Sequence, residues 1–304
     1  MKFNLLESIR TLIRPIKTVV SDIAVLEQSI YETQPNKSYW LNKNSINCSS
    51  IAKIHSLSEL NSSYSIHLWK FGKKGLCVDE LKQKLANIFI TKKIDKIEID
   101  ISEVGGLSAS KSPIENYCSM QQFVEKECLR FFEISEQGLQ SNLSHQEIRI
   151  IHSSHTSDHF KMYGWADNLF LCNSGGSHHF ASAQYIAKKL GKNIPITGKM
   201  VLTYIDEKAL AIFLNTYSTL LIPYSDFCYL SDNFELSGID MVFYQFPALP
   251  AETVVMFYKH QEMPSYLDSL LKNRFTDFNV ELLKFFHFQK SNTKFQNYRG
   301  LSNE

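Results

Sequence analysis

The chain has no surplus of either charge: 32 basic residues face 31 acidic ones across 304 positions, a formal net charge of +1. As a whole it is therefore no polycation, and a nucleic-acid partner would require a local basic patch. No CxxC pair occurs. Cys48, Cys77, Cys118, Cys128, Cys172 and Cys228 are scattered, which in a chain of this size reads as reduced thiols. No apolar run approaches the roughly 18 residues of a membrane span. Nor does the N-terminus read as a signal peptide, because Glu7, Arg10, Arg14 and Lys17 interrupt its apolar residues. These absences predict a soluble cytoplasmic protein with no membrane partner. The Walker spacing GxxxxGK[ST], the HExxH signature and internal repeats are also missing.

What is present is the composition of a folded globular protein, 44% apolar and 21% charged. The length suits two domains, or one with sizeable extensions. The most informative stretch is 168–196, NLFLCNSGGSHHFASAQYIAKKLGKNIPI. A short apolar run ends at Asn173-Ser174-Gly175-Gly176, strong turn punctuation. From Ser177 the apolar positions Phe180, Ala183, Ile186, Ala187 and Leu190 recur at helical spacing, and Gly191 stands where a helix end wants a left-handed residue. Strand, glycine turn and helix aim free N–H groups and the positive helix end at one spot, which favours phosphate. The same residues also fit an ordinary strand-to-helix turn whose glycines serve geometry alone.

Elsewhere, Leu5, Ile9, Leu12, Ile16, Val19, Ile23, Leu26 and Ile30 step by fours and threes, a heptad-like seam that Pro15 divides into two helices. The seam either packs on its own domain or forms an arm for a homodimer. Residues 34–63 read as a long connector with one helical turn. Strands are expected at 64–71, 94–101, 147–151, 200–205, 241–246 and 253–258, and helices at 78–90, 113–134, 207–221 and 265–288, with a frayed tail from Gln289. Residues 104–113 (VGGLSASKSP) superficially suggest a phosphate cradle, with Gly105-Gly106 followed by Ser-x-Ser-Lys, but lacking the Walker spacing they read as a flexible connector and domain boundary. Glu98 and Asp100 are a solvated strand face or a carboxylate pair. This mixture without strict βαβ repetition predicts an α+β fold.

Six of the ten histidines fall between positions 145 and 179. His152, His155, Asp158 and His159 offer ligand types for zinc or iron. They equally fit a polar loop bordering the phosphate pocket.

Residues 174–181, SGGSHHFA, resemble the nucleotide-binding segment of the ParB/sulfiredoxin superfamily, which runs Gly-Gly-Cys-His-Arg-Tyr in sulfiredoxins and roughly Gly-x-His-Arg or Gly-x-Arg-Arg in ParB-like proteins. The likeness continues through Leu190-Gly191 to Ile194-Pro195-Ile196 and covers about 40 residues. Two positions depart from it. Ser177 replaces the nucleophilic Cys of sulfiredoxin, a far poorer nucleophile near neutral pH. His179 replaces the usual Arg, a permanent bidentate phosphate ligand.

The resemblance implies a ParB/sulfiredoxin-like core at 113–230, flanked by an N-terminal helical arm at 1–33, a small α/β region at 34–112 and C-terminal strands and helices at 231–304. It implies an ATP- or CTP-binding protein, with Mg2+, acting as a phosphotransferase or hydrolase. Ser174, Gly175, Gly176, Ser177, His178 and His179 would hold the nucleotide, and His178 would serve as the catalytic group. The two departures also admit a non-catalytic interaction or regulatory protein that keeps the fold, and the histidine cluster admits a metal-dependent hydrolase.

Overall fold

In the computed structural model, residues 22–35, 45–55, 68–72, 76–131, 133–245 and 253–301 are described. They contain ten strands: β1 Leu68–Phe71, β2 Phe89–Asp100, β3 Val104–Leu107, β4 His159–Tyr163, β5 Leu169–Cys172, β6 Pro195–Ile205, β7 Tyr217–Pro223, β8 Met241–Gln245, β9 Thr253–Lys259 and β10 Thr276–Asp277. These build two five-stranded sheets, β2-β6-β4-β5-β3 and β1-β8-β9-β7-β10. With helices packed on both, the fold is α+β, as the patterning predicts.

The chain divides into two compact units, each described by itself. One comprises the described residues of 40–57, 89–207 and 284–304; the other comprises those of 1–39, 58–88 and 208–283. Both units are assembled from interleaved segments, whereas the boundaries read from the sequence, at 33, 112 and 230, cut the chain into consecutive blocks. Antiparallel β2 and β6 pair from Phe89↔Ile205 to Asp100↔Pro195, and hydrophobic patterning along a chain cannot show pairing at such separation.

In the unit containing the glycine turn, β6 pairs β2 on one side and runs parallel to β4 on the other; β5 then joins β4 antiparallel and β3 parallel. The helix Ser177–Leu190 crosses one face of this sheet. Its Phe180, Ala181, Ala183, Ile186 and Ala187 share a buried core with Phe160, Met162, Leu169, Leu171, Met200 and Leu202. Burial of each large apolar side chain here contributes about 1.5–3 kcal/mol. Two short helices, Met120–Glu127 and Glu136–Leu143, lie against the same helix, capped at their N-termini by Ser119 and Ser135.

The second unit packs the helix over 22–32 and the helices Tyr224–Ser237 and Ser265–Arg274 on its sheet. Leu26 and Ile30 are wholly buried there with Leu220, Ile222 and Phe227. Those two seam positions thus pack on their own unit. Leu5 to Val19 and Pro15 lie outside the described residues, as do 64–67, Phe246 and most of the 34–63 connector.

Several local expectations differ from the structure. Residues 147–151 are not a strand: Arg149–His152 is a single helical turn, with Ile151 N and His152 N both bonded to Ile148 O. Alternation over five residues fits one helical turn as well as a strand. Residues 104–113 are not a connector throughout, since Val104–Leu107 is β3, the edge strand paired to β5. A Cβ at Gly106 would lie 2.5 Å from Ile46 O and 2.6 Å from the Phe170 ring, so this glycine permits close packing. The helix expected over 207–221 stops at Thr216, and the β-branched and aromatic run that follows forms β7. The helix expected over 113–134 is interrupted, leaving a turn of 3-10 helix at Ile114–Asn116 before Met120–Glu127.

The tail from Gln289 is not frayed. Gln289, Phe295 and Tyr298 are buried, and Gln289 spans Ile205 by accepting from its N–H and donating to its carbonyl, 2.8 Å each. Asp100 is a backbone cap: its carboxylate accepts from Ser102 N at 2.7 Å and Ile194 N at 2.9 Å. Glu98 is exposed.

Candidate functional site

The turn after β5 is fixed by side chains of other elements. Asn173 donates from its N–H to Ser108 Oγ and from its side-chain amide to the carbonyls of Ala109 and Gly175. Ser174 donates both N–H and hydroxyl to Asp158 Oδ1, at 2.9 and 2.7 Å. Asp158 is 4% exposed, and its Oδ2 has no hydrogen-bond partner among the described residues.

The two glycines are not equivalent. Gly176 sits at φ 66°, ψ 16°, as the N-cap of Ser177–Leu190. A Cβ there would come within 2.6 Å of the Glu147 carbonyl group, whereas at Gly175 it would only touch Glu147 at 3.6 Å. Gly176 is therefore required by the chain's own crossing at Glu147, and Gly175 is not sterically required. The first intrahelical bond runs from Phe180 N to Gly176 O, and no side chain caps this end. The N–H groups of Ser177, His178 and His179 precede that bond and form the positive end of the helix dipole.

A cleft of about 660 Å³ opens on this end, lined by the turn together with Ser110, Lys111, Phe131, His145, Glu147 and Arg149. Arg149, exposed on its short helical turn, donates from Nη1 to Ser174 Oγ at 2.8 Å. Lys111 supplies a second cation. Sequence reading did not assign Lys111, His145 or Arg149 to the turn. His145 and Arg149 lie beside the histidine- and serine-rich stretch and Lys111 lies in the Gly-Gly…Ser-x-Ser-Lys stretch, but only sheet topology brings the three to one cleft.

All six turn residues expected from the sequence line this cleft, and their polar atoms are largely engaged within it. Ser177 is buried and donates to Ser110 Oγ at 3.2 Å. His178 Nε2 lies 3.0 Å from Ser112 Oγ, with its ring against Phe123 and Phe131. Glu127 accepts from the Tyr117 hydroxyl, and its carboxylate is held below its ordinary range chiefly by that bond. His179 Nδ1 lies 3.0 Å from Asn142 Oδ1, and its ring stacks on His145. Burial is the main cause depressing both imidazoles, with Lys111 acting further on His178, and His145 and His178 on His179. Near neutral pH they are uncharged hydrogen-bonding groups, so the cleft's fixed positive charge comes from Arg149 and Lys111.

The histidines of 152–159 do not converge. His152 Nε2 contacts Leu143 O and His159 Nδ1 contacts Ser157 O, while His155 is exposed. Among the described residues no three His, Cys, Asp or Glu side chains form a metal-ligand set. A separate cleft of about 690 Å³ carries Lys188, Lys189 and Lys294. Lys294, half-buried, is committed to the fold, donating to Glu103 O at 2.7 Å.

Fold and cleft together define an α+β protein with two fixed cations facing an uncapped helix N-terminus. The chain belongs to a family of unknown function, DUF6685, whose model matches residues 94–294 and so includes every residue of this cleft. Comparison with curated proteins and with solved structures finds no match. No helix among the described residues is long and apolar enough to cross a membrane.

Proposed function

We propose that this cleft binds the phosphates of a nucleotide, ATP or CTP with Mg2+, in the manner implied by the resemblance of residues 174–181 to the ParB/sulfiredoxin segment. The observation carrying this reading is the placement of Arg149 over the uncapped start of Ser177–Leu190. The resemblance calls for an arginine at position 179, which is histidine here; Arg149 brings a guanidinium to the same cleft from another element. Guanidinium, ammonium and helix N–H groups together make a phosphate site. Mg2+ would neutralise the remaining triphosphate charge.

For a phosphotransferase or hydrolase, His178 is the group we would assign to proton transfer, with the Ser112 hydroxyl on its Nε2. A second reading, binding without turnover, is favoured by the engagement of Ser177 with Ser110 rather than with a base. Calorimetry with ATP, CTP and GTP plus Mg2+ tests the binding, and phosphate release under the same conditions separates the two readings. Absence of binding at millimolar nucleotide would sink both.

A further inference from the structure

The cleft of about 690 Å³ lies within one compact unit and shares no lining residue with the cleft at the glycine turn. Part of its lining only accepts hydrogen bonds. Gln184, on the helix Ser177–Leu190, is 5% exposed, and its Nε2 donates to Val104 O at 3.2 Å and Ser102 O at 3.4 Å. Two carbonyls fix which way the amide is turned, because only its nitrogen donates. Its Oε1 has no partner among the described residues and is not sealed from solvent, so it stands open on the cleft that Gln184 lines. Glu103 and Asp167, both exposed, add carboxylate oxygens to the same lining. Lys294 Nζ holds the Glu103 carbonyl, and Glu103 Oε2 accepts from the Tyr298 hydroxyl at 2.6 Å.

The remainder of the lining donates. Lys188 and Lys189 follow Gln184 by about one helical turn and are exposed. Lys189 Nζ lies 5.3 Å from the centroid of the Tyr185 ring, and the Lys188 side chain has no partner among the described residues. The helix Met120–Glu127 starts on this cleft. Its Ser119 cap takes the Gln122 N–H, and Phe123 N makes the first helical bond, to Ser119 O. The N–H groups of Met120 and Gln121 therefore lack a partner within the helix.

We propose that this cleft is a second ligand site and takes a sugar phosphate. The phosphate meets Lys188, Lys189 and the N–H groups of Met120 and Gln121; the sugar hydroxyls donate to Gln184 Oε1 and to the carboxylates of Glu103 and Asp167. The two halves of the lining select this chemistry. Ammonium groups and a helix start favour phosphate. Amide and carboxylate oxygens can only accept, so they call for a ligand end rich in donors, as a sugar is. An inorganic anion satisfies the first half alone, and a free sugar only the second. Ligand clefts run to about 300–1,000 Å³, which suits a sugar phosphate and far exceeds what a phosphate ion fills.

The test is calorimetry on the full chain with glucose 6-phosphate, glucose and inorganic phosphate as separate probes at millimolar concentration. Glucose 6-phosphate should bind about tenfold or more tightly than either of the others, since it alone engages both halves of the lining. Lys188→Ala, which removes an exposed and unpartnered side chain, should weaken that binding by about tenfold with an unchanged melting temperature. Gln184→Leu should bring glucose 6-phosphate down to the affinity of inorganic phosphate. If loss of its bonds to Ser102 and Val104 unfolds that variant, the three probes and Lys188→Ala decide the matter. The proposal is overturned if glucose 6-phosphate does not bind, or binds no more tightly than inorganic phosphate. It is equally overturned if Arg149→Ala removes the binding and Lys188→Ala does not, which would put the sugar phosphate at the glycine turn.

Discussion

His145 and His179 stack face to face, with ring centroids 3.6 Å apart and planes 14° from parallel. Positive charge on both rings at once would be repulsive at this distance, and His145 is one of the groups that depress His179. The stack thus ties the cleft's shape to protonation. His178 and His179 both have folded-state values below the ordinary 6.5, burial being the larger cause in each. The unfolded chain consequently binds protons that the folded chain refuses. Stability from these groups is fully present above about pH 6.5 and is lost as pH falls below it, until the folded-state values are passed. Urea midpoints from pH 8 to pH 5 should fall on the acid side, and His179→Gln should flatten that fall. A midpoint independent of pH over this range would refute the assignment.

Arg149→Ala should weaken nucleotide or inorganic phosphate binding by about 1.5–3 kcal/mol, the scale of a hydrogen bond to a charged group. Because Arg149 is exposed and bonded only at the rim, through Ser174, stability should change by less than about 0.5 kcal/mol. Arg149→Lys should recover part of the affinity, keeping the charge but losing the fork. Calorimetry reads the first effect and thermal melting the second. Equal loss of both would make Arg149 a structural tie.

Gly176→Ala and Gly175→Ala should separate sharply. The first puts a side chain at φ 66°, within 2.6 Å of the Glu147 carbonyl group, and should cost at least about 1–2 kcal/mol from the left-handed conformation alone. The second meets only ordinary contact at 3.6 Å and should stay within about 0.5 kcal/mol of wild type. Chemical denaturation of the two variants makes the comparison, and similar losses would mean that the turn is shaped otherwise.

Gln289→Ala should destabilise the chain by about 2–4 kcal/mol, since it strips partners from both Ile205 N and Ile205 O in a buried setting. Loss of stability by less than about 0.5 kcal/mol would show that water replaces the amide there. Differential scanning calorimetry is sufficient to distinguish the outcomes.

The strand, glycine turn, helix, glycine stop and following strand of 168–196 were all legible because each rests on short-range physics. Phe180, Ala183, Ile186 and Ala187 fall on one face through the 3.6-residue period, and all four are buried. Gly191 ends the helix in the left-handed conformation at φ 63°, as its place in the pattern implies. Where two local patterns compete over a few residues, as at 147–151, the sequence left the outcome to packing: Ile148 and Ile150 are buried, and a single helical turn achieves that burial as well as a strand would.

The sequence alone determined the α+β mixture, the central helix and the turn that begins it, because hydrogen bonding and apolar periodicity act between residues a few positions apart. Tertiary structure decided the rest. It brought Arg149, Lys111 and His145 to the turn, set Gly176 against Glu147 and buried the tail at Gln289. Each of these depends on pairing between distant segments, as in β2 with β6. Such pairing is selected by the closing of long loops around a shared core, and no local pattern in the chain records which partner wins.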